Sequence, residues 1–344
     1  MKICYLVGNM NSKHGGGRYA GDLVSAIKKA GHEVVVIEQK SGTLASLFSG
    51  AIKIRRHIKK CDIVHAIDGY PYAIVVAIAN IGLNKKLIVT IQGTYAVAPL
   101  YNFIASPLLK WAYKRADKII AISRYTRDEV LKKTHLSNIE VINHGIDFGK
   151  FYKIPIDSPE DFILSVGALK YRKGYHVSIP AFAEAKKELP DLKYKIIGSR
   201  SDRAYFNELK KLAAKSGAEN GIEFISDITD RELIDIYQRA KLFILASVNE
   251  DHHFEGFGLV FLEAAAAGLP VIGTLGNGIE DAIKNGYNGF LVPQNNIETT
   301  ARAIIRTLNN ESLRKEMSVN SHTWARERDW NNVVLKYLKV YESY

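Results

Sequence analysis

The chain is poor in cysteine. Only Cys4 and Cys61 occur in 344 residues, in different segments. That argues against a disulfide framework and fits a reducing compartment. Long hydrophobic runs are missing as well. The longest apolar stretch, YAIVVAIANIGL from Tyr72 to Leu83, is too short to cross a bilayer and reads as a buried helix. The opening segment MKICYLVGNM carries one lysine and an apolar run that stops at Gly8, so it reads as a first β-strand rather than a signal peptide. There is no fine internal repeat and no low-complexity segment. No recognised nucleic-acid module appears. No Ser-His-Asp order or reactive-cysteine context marks nucleophilic chemistry.

What is present is a globular composition, 47% hydrophobic and 24% charged, in a chain too long for one ordinary core, so two domains are expected. The net charge of +11 is unevenly placed: residues 1–150 hold 22 Lys/Arg against 10 Asp/Glu, and the remainder holds 25 against 26. Two segments concentrate the excess, KIRRHIKK (Lys53 to Lys60) and LLKWAYKRADK (Leu108 to Lys118), the second interleaving Trp111 and Tyr113 with cations. On a helix this suits an anionic membrane surface. The plainer reading is a solvated basic face.

Apolar strand-like runs alternate with amphipathic helical stretches from KICYLVG to IEVINHG, and again from FILSVGAL to GFLVP. This βαβα order predicts an α/β protein made of two Rossmann-like domains with parallel, doubly wound sheets. The expected first domain covers residues 1–152 and the second 161–324. Residues 153–160, within KIPIDSPED, serve as linker, and a C-terminal helix over 325–344 returns to the first domain. Ligands bind at the carboxyl ends of strands in such sheets. Two such domains facing each other would leave a cleft for two substrates.

Three constellations carry chemistry. GNMNSKHGGGRYAGDLV (Gly8 to Val24) follows the first strand and opens a helix, where backbone N–H groups and the helix dipole favour an anion. Its G-G-G-R run does not fit the G-x-G-x-x-G spacing of a dinucleotide fingerprint. VGALKYRKG (Val166 to Gly174) brings Lys170, Arg172 and Lys173 to the end of a strand, where a diphosphate would find charge-assisted contacts. The third is FEGFGLVFLEAAAAGLPVIG (Phe254 to Gly273). Gly256 and Gly258 bare the backbone at a helix start, Glu255 lies just before that helix, and Glu263 lies inside it. Each carboxylate can accept from two hydroxyls of a sugar. The arrangement can therefore hold a phosphate between two sets of sugar hydroxyls, which describes a nucleotide sugar.

EGFGLVFLEAAAAGLPVIGTLGNGIEDAIKNGYNGFLVP resembles the signature of the retaining glycosyltransferase family 4, which has the GT-B fold. GGGRYA, AISRYTRDEV, NHGID and VGALKYRKG resemble further motifs of that family in order along the chain. The resemblance implies roles for particular positions. Glu263 would bind the donor ribose, and Glu255 would touch the transferred sugar near the reacting carbon. Backbone N–H groups around Gly256, Phe257, Gly258 and Leu259 would meet the sugar and diphosphate. Lys173 would neutralise the diphosphate, with Lys170 or Arg172 beside it. Gly16 and Gly17 would border the phosphate from the first domain, the GNGIED loop (Gly276 to Asp281) would lie beside the donor sugar, and Ile225 would flank the base. Gln92 would stand near the reacting sugar. Arg18, Tyr95 and His65 are the acceptor-side candidates, and for His65, read as ending its strand, a satisfied strand-end histidine is the alternative reading.

Two departures from the family pattern matter. Ala168 stands where the family usually has arginine, and Gln92, which cannot titrate, stands where it often has histidine. No D-x-D pair occurs, and Asp251, His252 and His253 read as loop or acceptor contacts rather than ligands. No metal and no cofactor are therefore expected. The resulting expectation is a retaining, metal-independent hexosyltransferase. It would use a nucleotide diphosphate sugar and a glycan or lipid-linked acceptor hydroxyl, as in cell-surface polysaccharide or glycolipid synthesis. It would be cytoplasmic or peripheral on the inner membrane face, with no nucleic-acid partner. A nucleotide-sugar 2-epimerase and a non-catalytic nucleotide-sugar-binding protein are the alternatives.

Overall fold

The structure is a computed structural model that describes residues 1–10, 15–39, 44–152 and 159–343. Among these, twelve strands form two six-stranded sheets with parallel pairing throughout. The first sheet contains β1 (Lys2–Val7), β2 (Glu33–Glu38), β3 (Ile63–Ile67), β4 (Lys86–Ile91), β5 (Lys118–Ala121) and β6 (Ile139–Val141), in the order β2-β1-β3-β4-β5-β6. The second contains β7 (Phe162–Val166), β8 (Lys193–Ile197), β9 (Ile222–Ile225), β10 (Leu242–Ile244), β11 (Val271–Thr274) and β12 (Gly289–Val292), in the order β12-β11-β10-β7-β8-β9. The chain thus reverses its direction of travel between β1 and β3 in one sheet and between β7 and β10 in the other. Ligands of open parallel sheets bind at such switch points.

Compact units comprise residues 1–145 with 329–344, and residues 146–328. The chain changes unit at Gly145–Ile146, ahead of the segment 153–160 read as linker, of which 153–158 lie outside the described residues. The physical reason is the short helix Phe148–Phe151, which packs on the helices Asp230–Arg239 and Leu259–Ala266 of the second unit.

Central strands read as near-continuous apolar runs because both faces are covered. In β1, KICYLV, every residue after Lys2 is buried. The helix Gly15–Lys29 buries Tyr19, Leu23, Val24 and Ile27 at helical spacing on that sheet. The C-terminal helix Trp330–Glu342 packs beside it, burying Trp330, Val333, Val334, Tyr337 and Tyr341. Their tyrosines meet in a buried hydroxyl network: Tyr5 and Tyr341 at 2.8 Å, Tyr19 and Tyr337 at 2.6 Å.

The helical stretch between β4 and β5 is broken. A turn of helix at Thr94–Val97 passes into a 3-10 turn at Ala98–Tyr101, and an α-helix resumes at Ala105–Arg115. Pro99 brings no N–H to a continuing helix, and Asn102 is extended, at ψ 130°. The Asn102 side chain then caps the new helix, accepting from the N–H groups of Ile104 and Ala105 at 3.0 and 2.9 Å. Among the described residues no helix is long and apolar enough to cross a membrane.

Candidate active site

In the second unit the loops after β7 and β10 meet. After β7 the chain passes Lys170 into a 3-10 turn, Tyr171–Lys173, and starts the helix Tyr175–Glu188 through Gly174. Gly174 has φ 70°, and a Cβ there would stand 1.7 Å from the Ala246 carbonyl oxygen, just beyond β10. Only glycine permits this approach. Val248 N–H donates to the Arg172 carbonyl at 2.9 Å, closing the contact.

On that base the charged groups converge. Glu255 Oε2 accepts from Lys173 Nζ at 2.5 Å and from Arg172 Nη1 at 3.1 Å. Glu255 and Lys173 are almost enclosed, with side-chain exposures of 13% and 12%. Burial pushes the Glu255 carboxyl up, but the Lys173 and Arg172 charges outweigh it and hold the group below its ordinary value. The Lys173 ammonium lies below its ordinary value, chiefly through burial, with Arg172 acting in the same direction and Glu255 opposing. Arg172 thus joins Lys173, while Lys170 is exposed to solvent.

The helix Leu259–Ala266 follows, entered through Gly258 at φ 82°. First-turn N–H groups of a helix have no partner within it. Phe257 and Leu259 are buried, and Gly256 is half-buried. Glu263, inside the helix, is 1% exposed and accepts from the Tyr237 hydroxyl at 3.0 Å. The loop after β11 lies directly on this segment: Gly278 N–H donates to the Glu255 carbonyl at 2.9 Å, and a Cβ on Gly278 would stand 2.0 Å from the Gly256 carbonyl oxygen. Asn249 Nδ2 donates to the Gly276 carbonyl at 2.8 Å, and Gln294 Oε1 accepts from Asn249 N–H at 2.7 Å, so the loops after β10, β11 and β12 are one hydrogen-bonded assembly. Asp251 and His253 are exposed and His252 half-buried, and Glu250 and His253 close the tip of that loop.

Ile225 is the last residue of β9, and the next two residues, Ser226 and Asp227, line a cavity of about 520 Å³ together with Ser199, Arg200 and Phe206, among others. Arg200 lies over the Phe206 ring at 4.9 Å and donates to the Phe224 carbonyl. Sequence reasoning passed over Arg200 because nothing local marks a strand-end arginine as facing a cavity.

In the first unit, the switch-point loops again gather polar groups. Gly16 and Gly17 open the helix Gly15–Lys29, with Arg18 half-buried on its first turn. The preceding residues 11–14 of the glycine loop lie outside the described residues. A Cβ on Gly16 would stand 3.7 Å from Gln92 Oε1, so the Gln92 side chain, at the end of β4, lies against that turn. Tyr95 is 67% exposed nearby in the chain.

His65 does not belong with them. It sits inside β3 rather than at its end, is 0% exposed, and has both ring nitrogens engaged, Nδ1 with Tyr341 Oη and Nε2 with Thr90 Oγ1, each at 2.8 Å. Burial lowers its pKa to about 3. Of the two readings of His65, the structure shows the satisfied histidine, a neutral core residue, and not the acceptor-side contact.

The strand-end position belongs to Asp68, which sequence reasoning missed. It follows β3 with φ 105°, a conformation rare for a residue with a Cβ. Its Oδ1 accepts from Gly69 N–H at 2.7 Å, and Gln92 N–H also binds the carboxylate. Burial raises its pKa to about 7, against the lowering effect of those two hydrogen bonds. The available signal was an acidic residue before glycine, at the point where an apolar run stops.

Residues 150–324 match the family described as Glycosyl transferases group 1, and residues 43–150 match Glycosyltransferase Family 4. The chain belongs to the group 1 glycosyltransferases, with the GT-B fold, and is a transferase enzyme. An uncharacterized glycosyltransferase of Methanocaldococcus jannaschii is 27% identical over 304 residues, covering 87% of this chain and 81% of its own length. A D-inositol 3-phosphate glycosyltransferase of Corynebacterium urealyticum is 29% identical over 230 residues, covering 61% of this chain and 52% of its own. In structure, Anabaena Alr3699/HepE in complex with UDP superposes with a TM-score of 0.84 at 18% identity, covering 100% of both chains. WaaG, a glycosyltransferase involved in lipopolysaccharide biosynthesis, superposes at 0.73 with 18% identity, covering 99% of this chain and 100% of its own. The Methanocaldococcus, Corynebacterium and WaaG proteins are glycosyltransferases by name, and the epimerase and binding-protein alternatives find no support among these relatives.

Proposed function

We propose that this enzyme transfers a hexosyl group, with retention, from a nucleoside diphosphate sugar to a hydroxyl of a glycan or lipid-linked acceptor. The observation that carries the reading is the Glu255 carboxylate held by Lys173 and Arg172 at the switch point of the second sheet. Lys173 and Arg172 supply positive charge where a leaving diphosphate develops negative charge, and the Gly258-led helix start adds backbone donors. Glu255 and Glu263 are carboxylate acceptors for sugar hydroxyls, and the cavity beside Ile225 and Arg200 has the size and aromatic wall for a base. UDP and UDP-glucose in the Anabaena protein favour a uridine nucleotide in that cavity.

In the reaction we infer, the bond from the anomeric carbon to the diphosphate oxygen breaks as the acceptor oxygen bonds to that carbon from the same face. The acceptor proton passes to the leaving diphosphate. Lys173 and Arg172 neutralise that group. Gln92 and Asp68, at the switch point of the first sheet, are polar partners for an acceptor. The scheme uses no metal.

A donor screen tests it. Purified protein is incubated with UDP-, GDP- and ADP-sugars in chelator, with and without a lipid extract, and nucleoside diphosphate release is followed. The expected result is chelator-resistant release from one donor, raised by acceptor and lost in Glu263→Ala. Metal-dependent release, or an inverted anomeric product, would overturn the scheme.

A further inference from the structure

We propose that the turn Tyr101–Ile104 and the outward face of the helix Ala105–Arg115 dock this protein on an anionic lipid surface, with Phe103 and Ile104 entering the interface. The surface is independent of the donor site described above.

Exposure comes first. Phe103 is 94% exposed, Ile104 63%, Tyr101 38% and Leu108 37%. Single exposed apolar residues are ordinary, but a contiguous group that folding leaves in water marks a surface for a partner. The turn is built rather than loose: Asn102 caps the helix through two N–H groups, and Ser106 N–H returns to the Asn102 carbonyl at 2.9 Å. The N–H groups of Asn102, Ile104, Ala105 and Ser106 are hydrogen-bonded, while the side chains of Phe103 and Ile104 are exposed.

Helical spacing extends the surface. Ala105, Leu109, Ala112 and Tyr113 form the buried stripe. The stripe flanking it, Ile104, Leu108, Trp111 and Arg115 at i, i+4, i+7 and i+11, is apolar, then aromatic, then cationic, and Lys110 and Lys114 lie beyond it on the face away from the core. Arg115 lies over the Trp111 ring at 5.4 Å, and Lys133 lies over the Tyr101 ring at 4.1 Å. An apolar tip, interfacial aromatics and cations beyond them match the polarity gradient of a bilayer surface.

Charge selects the occupant. From Gly69 to Ala116 the chain contains no aspartate or glutamate, Lys110, Lys114 and Arg115 lie on the helix itself, and Lys133 lies against Tyr101. A surface with apolar residues and cations of one sign suits anionic lipid headgroups better than a second copy of the same positive surface.

The test is sedimentation with vesicles of phosphatidylcholine, with and without phosphatidylglycerol. Wild type should sediment with the anionic vesicles at low salt and progressively less as salt rises. Phe103→Ser/Ile104→Ser should reduce the partition coefficient at least ~tenfold, with unchanged thermal melting and unchanged nucleotide-sugar binding. Phe103→Trp should shift its emission to the blue on adding those vesicles. If the double variant sediments like wild type, or the new tryptophan keeps its emission while the protein sediments, the surface is not this one. Concentration-dependent dimers of wild type, abolished by the double variant without lipid, would instead give the surface to a second copy and overturn the proposal.

Discussion

Lys173 Nζ lies 2.5 Å from Glu255 Oε2, and the pair bridges the loops that follow β7 and β10. Cation and carboxylate are both nearly enclosed, so removing either leaves the other poorly solvated. Lys173→Met should cost about 3 kcal/mol of stability, reduced by the Arg172 contact that remains. It should also lower kcat by ~10²-fold or more if the ammonium stabilises the departing diphosphate. Glu255→Gln should destabilise with a pH signature. The Glu255 carboxyl is held below its ordinary value, so its contribution is present above the unfolded pKa and disappears as pH falls through the folded one. Thermal melts of wild type and variant should differ at neutral pH and converge in acid. A gap constant with pH would assign the loss to packing.

Asp68 titrates with the opposite sign. Its pKa moves from 3.8 to about 7, so the folded unit holds a proton that the unfolded chain releases. Stability is full below the lower value and declines as pH rises through the upper one. Asn at this position accepts the same N–H donors and carries no charge. Asp68→Asn should therefore raise the melting temperature above pH 7 and leave it unchanged below 3.8. The scale is ~1.4 kcal/mol for each unit between the two values. Equal melting of both proteins in alkaline solution would show that the carboxylate is not destabilised by its site.

These two carboxylates also mark where sequence reasoning reaches and where it stops. Glu255 and Glu263 are legible because their meaning is local: two acids, two glycines and a helix start within one short stretch. The cations at Arg172 and Lys173 were legible as a diphosphate site, but their convergence on Glu255 spans 83 and 82 positions and depends on Gly174 fitting against Ala246. The succession of strands and helices along the chain followed from apolar runs, yet the place of His65 did not, because its neutrality depends on burial and on Tyr341 from the far end of the chain. Asp68 is held by hydrogen bonds with Thr90, Gln92 and Gly69 and owes its raised proton affinity to burial, and only the folded sheet supplies both.

The Tyr341 hydroxyl supports both Tyr5 and His65. Tyr341→Phe keeps the ring and deletes one oxygen, leaving a buried hydroxyl and a buried imidazole nitrogen short of a partner. The expected cost is about 1–3 kcal/mol, read as a lower urea midpoint with an unchanged slope. Because the network lies in the first unit's core, donor binding by the second unit should survive. A variant as stable as wild type would mean that water replaces the hydroxyl.

Gly278 separates position from stability. Its φ is not in the left-handed region, so alanine there meets no backbone strain, only the Gly256 carbonyl oxygen at 2.0 Å and the Glu255 carbonyl oxygen at 2.8 Å. Neither oxygen can rotate away. The loop after β11 must move off the segment that carries Glu255, and the carboxylate then shifts relative to Lys173. Displacements of about 1 Å at reacting groups cost ~10²-fold in rate. Gly286 supplies the control: its φ is +75°, and nothing lies within 4 Å of an added Cβ. Gly286→Ala should lose about 1 kcal/mol through backbone strain alone and retain its transfer rate. Gly278→Ala should lose transfer well beyond what its stability accounts for. Steady-state kinetics and melting curves on the two alanine variants distinguish these outcomes, and parallel losses in both would remove the loop contact from the mechanism.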